Sequence, residues 1–478
     1  MTWWWPWNRD SLGCVLAVAV MLSACGNRPS PPPARKDAAP ADADAAVDLG
    51  ARALGLADLD AYGWRRRAGQ PAFRIARAAE DRGDWPAVVA ACKDALAADA
   101  GHLEAAWLLA IGHAKVGQLD QVAGPLQQAA AGEFARWGQA SLDHPALREF
   151  LATPVGAAWR RRVDQDRALY AGAISRALIV TADGELFAFE LETRRWYRLT
   201  RNPGTVIGAL AIPAARKIAY VARASKKAKR ELGIGVVDLA RGASSGVVPL
   251  GTAGPITVAY SAKPPIGFWV GAGAARPGAW RQLDDEYRLH ALPPKSARPA
   301  GPWLEVFMKS SVRLHALPPN VTADWDDQSL ASAVRIGTSN RVVSVPSPGL
   351  IDGNTAAWSP DRAHLAFVAQ LDDHCTAGAV NTAAFVADAA TGGVKELERA
   401  ARGIALQWLG DRSLAIAGDH GVSIRSLDDG VEPIQINDAN GLMIPRERPR
   451  CAPPEIDEAS ELEPPGDEPA DAGVADAP

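Results

Sequence analysis

The sequence predicts a multidomain α + all-β chain: a short helical solenoid near the N-terminus, followed by a larger region of β-strands. Three observations carry this. Between residues 51 and about 170 the apolar side chains fall at helical spacing. Inside that stretch a glycine-punctuated pattern recurs, with Gly83 and Gly117 34 residues apart. From about residue 171 the helical spacing gives way to short apolar runs separated by Gly, Asp and Pro, the punctuation of antiparallel strands.

The 478 residues suffice for two or three domains, and the first of their segments is not one of these. Met1 to Ser11 is Trp-rich, with Arg9 as its only basic side chain. Leu12 to Leu22 is an apolar run too short to cross a ~30 Å hydrocarbon layer and of the length of a signal-peptide core. It ends in Leu22-Ser23-Ala24-Cys25, which resembles the lipobox of bacterial lipoproteins. The resemblance implies cleavage after residue 24, with lipid on the Cys25 sulfur and its new amino group. Gly26, rather than Asp, follows the cysteine. That favours the outer membrane (its periplasmic face or the cell surface) over the inner one. Residues 25–50 are rich in Pro, Ala and Asp and poor in large apolar side chains, so they read as a disordered tether spanning roughly 25–30 Å.

The helical region, 51–170, follows. Arg82-Gly83-Asp84-Trp85 is echoed by Val116-Gly117-Gln118-Leu119. Before the glycines stand apolar stripes, Phe73, Ile75, Ala76, Ala79 and then Ala106, Leu109, Ala110, His113. After them come Trp85, Val88, Val89, Cys92, Ala95, Leu96 and then Leu119, Val122, Ala123, Leu126, Ala129, Ala130. Helix–turn–helix units at this period resemble the tetratricopeptide repeat, and the resemblance implies a short solenoid with a concave peptide-binding face. Packing of the helices against the next domain is the alternative. Residues 145–151 and 155–170 predict a further helical pair.

The β region, 171–438, opens with Ala177–Thr181 and Glu185–Phe189 around Ala182-Asp183-Gly184, a hairpin signal. Its clearest unit is Ala356-Ala-Trp-Ser-Pro-Asp361, then His364–Val368, Ala384–Asp388, Thr391-Gly392 and Val394–Leu397. A second copy places Trp408 50 residues after Trp358. These units resemble the blades of TolB-type and WD40-like β-propellers. Arg362 stands where such blades carry the turn glycine. About six blades are expected, near 171–202, 205–251, 254–295, 302–346, 352–398 and 402–438, with five and seven as alternatives. The fourth is the weakest. Arg288–Pro294 recurs as Arg313–Pro319, a duplication that reads equally as an inserted hairpin.

Residues 439–451 close the fold, and 452–478 form a tail with nine acidic residues and no Lys or Arg. The tail reads as disordered, with a docking role as the alternative. Net charge is −4, so the body carries about +5, and no basic stripe with interleaved aromatics marks a nucleic-acid surface. Of five cysteines, Cys14 leaves with the leader, Cys25 takes lipid and Cys92 sits on an apolar helix face. An exported chain meets oxidising conditions, so Cys375 and Cys451 are expected to form a disulfide.

Motifs for chemistry are scarce. Gly242-Ala-Ser-Ser-Gly246 fits the nucleophile-elbow spacing around Ser244, but a β segment follows instead of the helix that turn requires. Asp372-Asp373-His374-Cys375 and Asp324-Trp325-Asp326-Asp327 lack the loop spacing of a cation site. No residue is assigned a catalytic, metal-binding or cofactor role. The chain reads as a non-enzymatic, membrane-anchored scaffold for a protein or peptide partner. A propeller-based hydrolase or lyase, or a small-ligand sensor, is the alternative.

Overall fold

Gly83 and Gly117 both take left-handed backbone angles, φ +72° and +78°, where a Cβ would be strained. They end α1 (Gln70–Asp81) and α3 (Leu103–Lys115) in the same way. The N–H groups of Asp84 and Gln118 return to the carbonyls of Ala79 and His113, five residues back, at 3.0 and 2.9 Å. Each turn leads to the next helix, α2 (Trp85–Ala98) directly and α4 (Ala123–Gly132) after a 3₁₀ turn. Three of the four buried positions of α2, Val88, Cys92 and Ala95, match Val122, Leu126 and Ala129 at an offset of 34 residues. Ile75 does not join the stripe and is 62% exposed. Two residues from Phe73 is about 200° round a helix, which turns its side chain to solvent.

The computed structural model describes residues 49–442, with short breaks of which the longest are 225–230, 273–279, 297–302 and 372–380. The leader, most of the tether and the acidic tail lie outside the described residues, as do Cys25, Cys375 and Cys451.

Past α4 the regular pairing stops. Three one-turn helices, α5 (Phe134–Trp137), α6 (Ala140–Asp143) and α7 (Arg148–Leu151), lead into the 23-residue α8 (Pro154–Arg176). Thr153 caps α8 by accepting from the Gly156 N–H at 3.0 Å, and Pro154 fits the first turn. Trp159 is fully buried, and its indole N–H donates to Ser141 Oγ at 2.9 Å.

Strands begin two residues after α8, and those described pair antiparallel throughout. The first sheet holds β1 (Leu178–Ala182), β2 (Glu185–Glu190) and β3 (Arg195–Arg198). The expected hairpin turns on Asp183 and Gly184, both left-handed at φ +47° and +77°. The second holds β4 (Val206–Ile212), β5 (Lys217–Arg223) and β6 (Leu232–Asp238). Both β7 (Ala243–Ser244) and β8 (Val248–Thr252) pair with β6.

In the third sheet stand β9 (Ile256–Ser261), β10 (Gly267–Ala272), β11 (Arg281–Leu283) and β12 (Leu289–Ala291). Two more strands, β13 (Trp303–Val306) and β14 (Ser311–Leu314), extend it beyond β9. The fourth takes β15 (Val321–Trp325), β16 (Leu330–Ile336), β17 (Arg341–Val343), β18 (Leu350–Trp358), β19 (His364–Gln370), β20 (Thr382–Asp388) and β21 (Val394–Ala400). A fifth is made of β22 (Ala405–Gly410), β23 (Ser413–Gly418), β24 (Gly421–Ser426) and β25 (Ile434–Ile436). Finally β26 (Gly441–Leu442) returns to pair with β1, Val180 opposite Leu442 and Thr181 opposite Gly441.

Residues 302–346 therefore make no sheet of their own. Their first two strands join β9 and the other three join β18 by way of β16. The two copies of the duplicated heptapeptide contribute to β12 and β14, opposite edges of the third sheet. Trp358 and Trp408 behave alike: each indole N–H donates to the backbone of earlier chain, Pro319 O and Ala357 O, both at 2.9 Å. Arg362 keeps the left-handed turn at φ +60° without glycine.

The largest apolar cluster joins the helices to the first two sheets. It runs from Ala106, Leu126 and Trp159 through Tyr170 to Leu186, Ala209 and Tyr220. One long face of the helical region is thus covered by strands.

Candidate functional site

A partly buried polar constellation lies on this helix–sheet seam. Glu133 sits between α4 and α5 and is 4% exposed. Arg201, just past β3, clamps both of its carboxylate oxygens, Nε to Oε1 and Nη2 to Oε2, each at 2.8 Å. Arg201 also donates through Nη1 to Glu104 Oε1 at 3.1 Å, and Arg136 donates to the same oxygen at 3.0 Å. Glu104 stands in the first turn of α3, where the helix dipole favours a carboxylate. Burial alone would raise its carboxyl, but the Arg136 hydrogen bond and the Arg201 and Arg136 charges outweigh that and hold it below the ordinary range. Burial lowers Arg136 and Arg198, whereas in Arg201 the Glu133 contacts overcome burial and raise it.

A second pair lies alongside. Glu185 at the start of β2 accepts from Thr200 Oγ1 at 2.5 Å and faces Arg198 at 3.5 Å. Leu56 bridges to Trp196 at the edge of β3, and Tyr62 donates to the Trp196 carbonyl at 2.5 Å. Gly55 makes that approach feasible, because a Cβ there would sit 2.9 Å from the Trp196 oxygen. Tyr62, Tyr170 and Tyr197 are pushed above the usual tyrosine value, by burial first and nearby carboxylates second. The Tyr170 hydroxyl has no hydrogen-bond partner among the described residues.

Aromatic rings close the seam. Trp107 and Trp137 stack at 4.5 Å between centroids, and the Arg136 guanidinium lies 3.8 Å from the Trp137 ring centre. His144 meets Trp107 edge-on at 5.7 Å. The arrangement fixes helices to sheets.

Of the residues singled out in the sequence, Ser244 lies on β7 between strands, and its hydroxyl donates to Ser245 O at 3.3 Å. No helix follows it, so no nucleophile elbow forms. Asp324 is ion-paired with Arg335 at 2.8 Å. His113 is buried, with Nδ1 2.7 Å from Gln118 Oε1. Burial pushes the Cys92 thiol up to about 12, which suits a core residue. Among the described residues no group of three or more His, Cys, Asp or Glu is arranged to hold a metal ion. The seam residues were not singled out by sequence reading, because Arg201 is 68 and 97 residues from its two partners.

No family model matches the sequence, and neither does any curated protein. Solved structures align with about half of it. The tricorn protease does so at 12% identity and a TM-score of 0.32, over 55% of this chain and 26% of its own. KlHsv2 with loop 6CD replaced by a Gly-Ser linker gives 15% and 0.30, over 52% and 88%. A putative 6-phosphogluconolactonase from Bacteroides uniformis gives 12% and 0.29, over 55% and 97%. This chain thus spans about a quarter of the tricorn protease. Scores this low establish no shared fold, and the architecture rests on its own topology: a small helical region followed by a larger antiparallel β region.

Proposed function

We propose that the β region is a propeller built from its five sheets and closed by β26, and that the chain is a lipid-anchored envelope scaffold holding a protein or peptide partner. The ring is supported by the return of the last described strand to β1 and by the run of sheets in chain order. The scaffold reading is carried by one observation: helices and sheets share a core and a charged seam, which makes them a single rigid platform.

The shared core also dictates the test. Deleting the helices would strip the first two sheets, so surface substitutions replace deletion. In-envelope crosslinking of the full chain is expected to capture a defined partner, weakened by Ile75→Asp on the exposed face of α1 or by truncation after Arg450. An identical crosslink pattern in both variants sinks the scaffold reading. Labelling with a fatty acid, lost in Cys25→Ser, tests the anchor. Thiol titration of the denatured, unreduced chain from residue 25 with Cys25→Ser, exported behind a non-lipoprotein leader, is expected to count one free thiol, from Cys92. Three would overturn the Cys375–Cys451 bridge.

A second reading, an enzyme or small-ligand sensor, is favoured by Glu305. This residue is 4% exposed on β13, beyond the first strand of the third sheet and opposite Thr257. No hydrogen bond or ion pair joins its side chain to another described residue. Hydrolase, lyase or ligand-binding activity in the purified chain, abolished by Glu305→Gln with partner capture intact, would establish that reading over the first.

A further inference from the structure

Helices α1 and α2 share an apolar cluster with α3, built on Phe73 and Ala76, Val88 and Cys92, Leu108 and Leu109. Among the described residues this cluster takes nothing from the sheets. His102 sits where α1 meets α3 and is 5% exposed. It caps α3: its Nδ1 accepts from the Ala105 N–H at 3.2 Å. Its Nε2 lies 3.1 Å from Oε1 of Gln70, the first residue of α1. The Phe73 ring lies against the imidazole, 4.6 Å between centroids. At Gly69, just before α1, an added Cβ would stand 2.5 Å from the Ala95 carbonyl oxygen and 3.2 Å from His102 Cδ2. The missing side chain lets the start of α1 approach both α2 and the ring.

These contacts fix the charge state. A ring nitrogen that accepts from an N–H carries no proton, so Nε2 holds the proton and donates it to Gln70. A second proton would have to go on Nδ1, where the Ala105 N–H already points. It would also set a cation at the N-terminal end of α3, where the helix dipole opposes it. Asp84 and Thr153 cap α2 and α8, but neither side chain changes charge near pH 6. Among the described residues, α1 faces His102 with Gln70 and Phe73, the end of α2 with Asp99, and α3 with Glu104. Both carboxylates attract a cation, but neither supplies the acceptor that Ala105 would lose. His113, at the far end of α3, feels Lys93 and Asp120. Its Nδ1 donates to Gln118 in either charge state, so its protonation breaks no bond.

We propose that His102 is an acid-sensitive latch, an imidazole that holds the α1–α2 hairpin on α3 while neutral and releases it when protonated. The device depends neither on the lipid anchor nor on a partner. The closed hairpin excludes the proton and the open one binds it. The latch is therefore complete above the ordinary imidazole value of about 6.5 and weakens as pH falls below it. One unit lower, at pH 5.5, the open fraction rises about tenfold over its neutral value. Opening bares Leu108 and Leu109, which the closed hairpin buries.

Hydrogen exchange in the full chain, corrected for the intrinsic rate at each pH, tests the latch. Peptides from α1 and α2 are expected to lose about tenfold in protection between pH 7.5 and 5.5, with those from β19 and β20 unchanged. His102→Asn keeps a cap acceptor that does not titrate, and is expected to hold the loss below about twofold. A tenfold loss retained in that variant overturns the proposal, by assigning the step to His113 or to carboxylates. An equal loss in β19 and β20 also overturns it, because the whole chain is then unfolding, and so does unchanged protection in the wild type. Nitrogen NMR of the wild-type ring decides the matter if the variant fails to fold. Nδ1 is expected to be bare at pH 7.5, and a proton found there at that pH overturns the latch.

Discussion

The first sheet and the segment 302–346 are both rich in apolar residues, yet one builds a sheet and the other is shared out between neighbours. Strands β1 and β2 are buried along nearly their whole length, on both faces. In the second region β16 is buried only at Ala331, Val334 and Ile336, and β17 has one buried residue of three. A strand covered on both faces needs partners on each side and organises them. A one-faced strand gains as much by lengthening an existing sheet. For β16 and β17 the contrast teaches that one-faced strands lengthen sheets begun elsewhere, while β13, with Leu304, Glu305 and Val306 all buried, joins β9 although both of its faces are covered.

That contrast can be broken by mutation. Phe187→Ala removes a fully buried ring from β2 and is expected to cost about 3–5 kcal/mol, whereas Ile336→Val on β16 should cost about 0.5–1.5. Urea unfolding measures both, and comparable losses would void the comparison. Next in size comes the seam, which ties the first sheet to the helices and has no counterpart among the described residues of 302–346. Arg201→Ala leaves the Glu133 carboxylate buried without its clamp. A loss of roughly 3 kcal/mol is expected, at the low end for a broken buried pair because the Arg201 side chain is itself 32% exposed.

Alkali sharpens the same point. Tyr62, Tyr170 and Tyr197 have folded values raised above the ordinary 10.0. Above pH 10 the unfolded chain sheds protons that the folded chain retains, so their contribution is complete below that pH and is lost as pH rises. Melting temperature should hold between pH 7 and 9 and fall above 10, with a smaller fall in Tyr170→Phe. An alkaline limb of the same steepness in that variant would exclude Tyr170 as a cause. The smallest effect is expected at Arg362→Gly, which relieves a left-handed side-chain residue and should stabilise by about 0.5–1 kcal/mol in thermal unfolding.

Local features were legible in the sequence. Gly83, Gly117 and the Asp183-Gly184 turn announce backbone angles that few other residues accept, and Trp358 and Trp408 share a role because they share a motif. Ile75 was misjudged, since apolarity alone does not say which side of a helix a residue faces. The division of 302–346 was hidden because its strands take their places from neighbours already formed. The seam was illegible for a different reason: its arginines look like ordinary surface charges until the fold carries them to Glu104 and Glu133.

The pairing of β26 with β1 carries a consequence for biogenesis. A ribosome makes the chain from its first residue onward, and the partner of Val180 emerges 262 residues later. At ordinary synthesis rates that delay is on the order of tens of seconds. Throughout it β1 presents an unpaired edge, the kind of surface on which nascent chains associate wrongly. Any product truncated before Gly441 keeps that edge permanently, so premature termination should yield aggregates and not a smaller working protein.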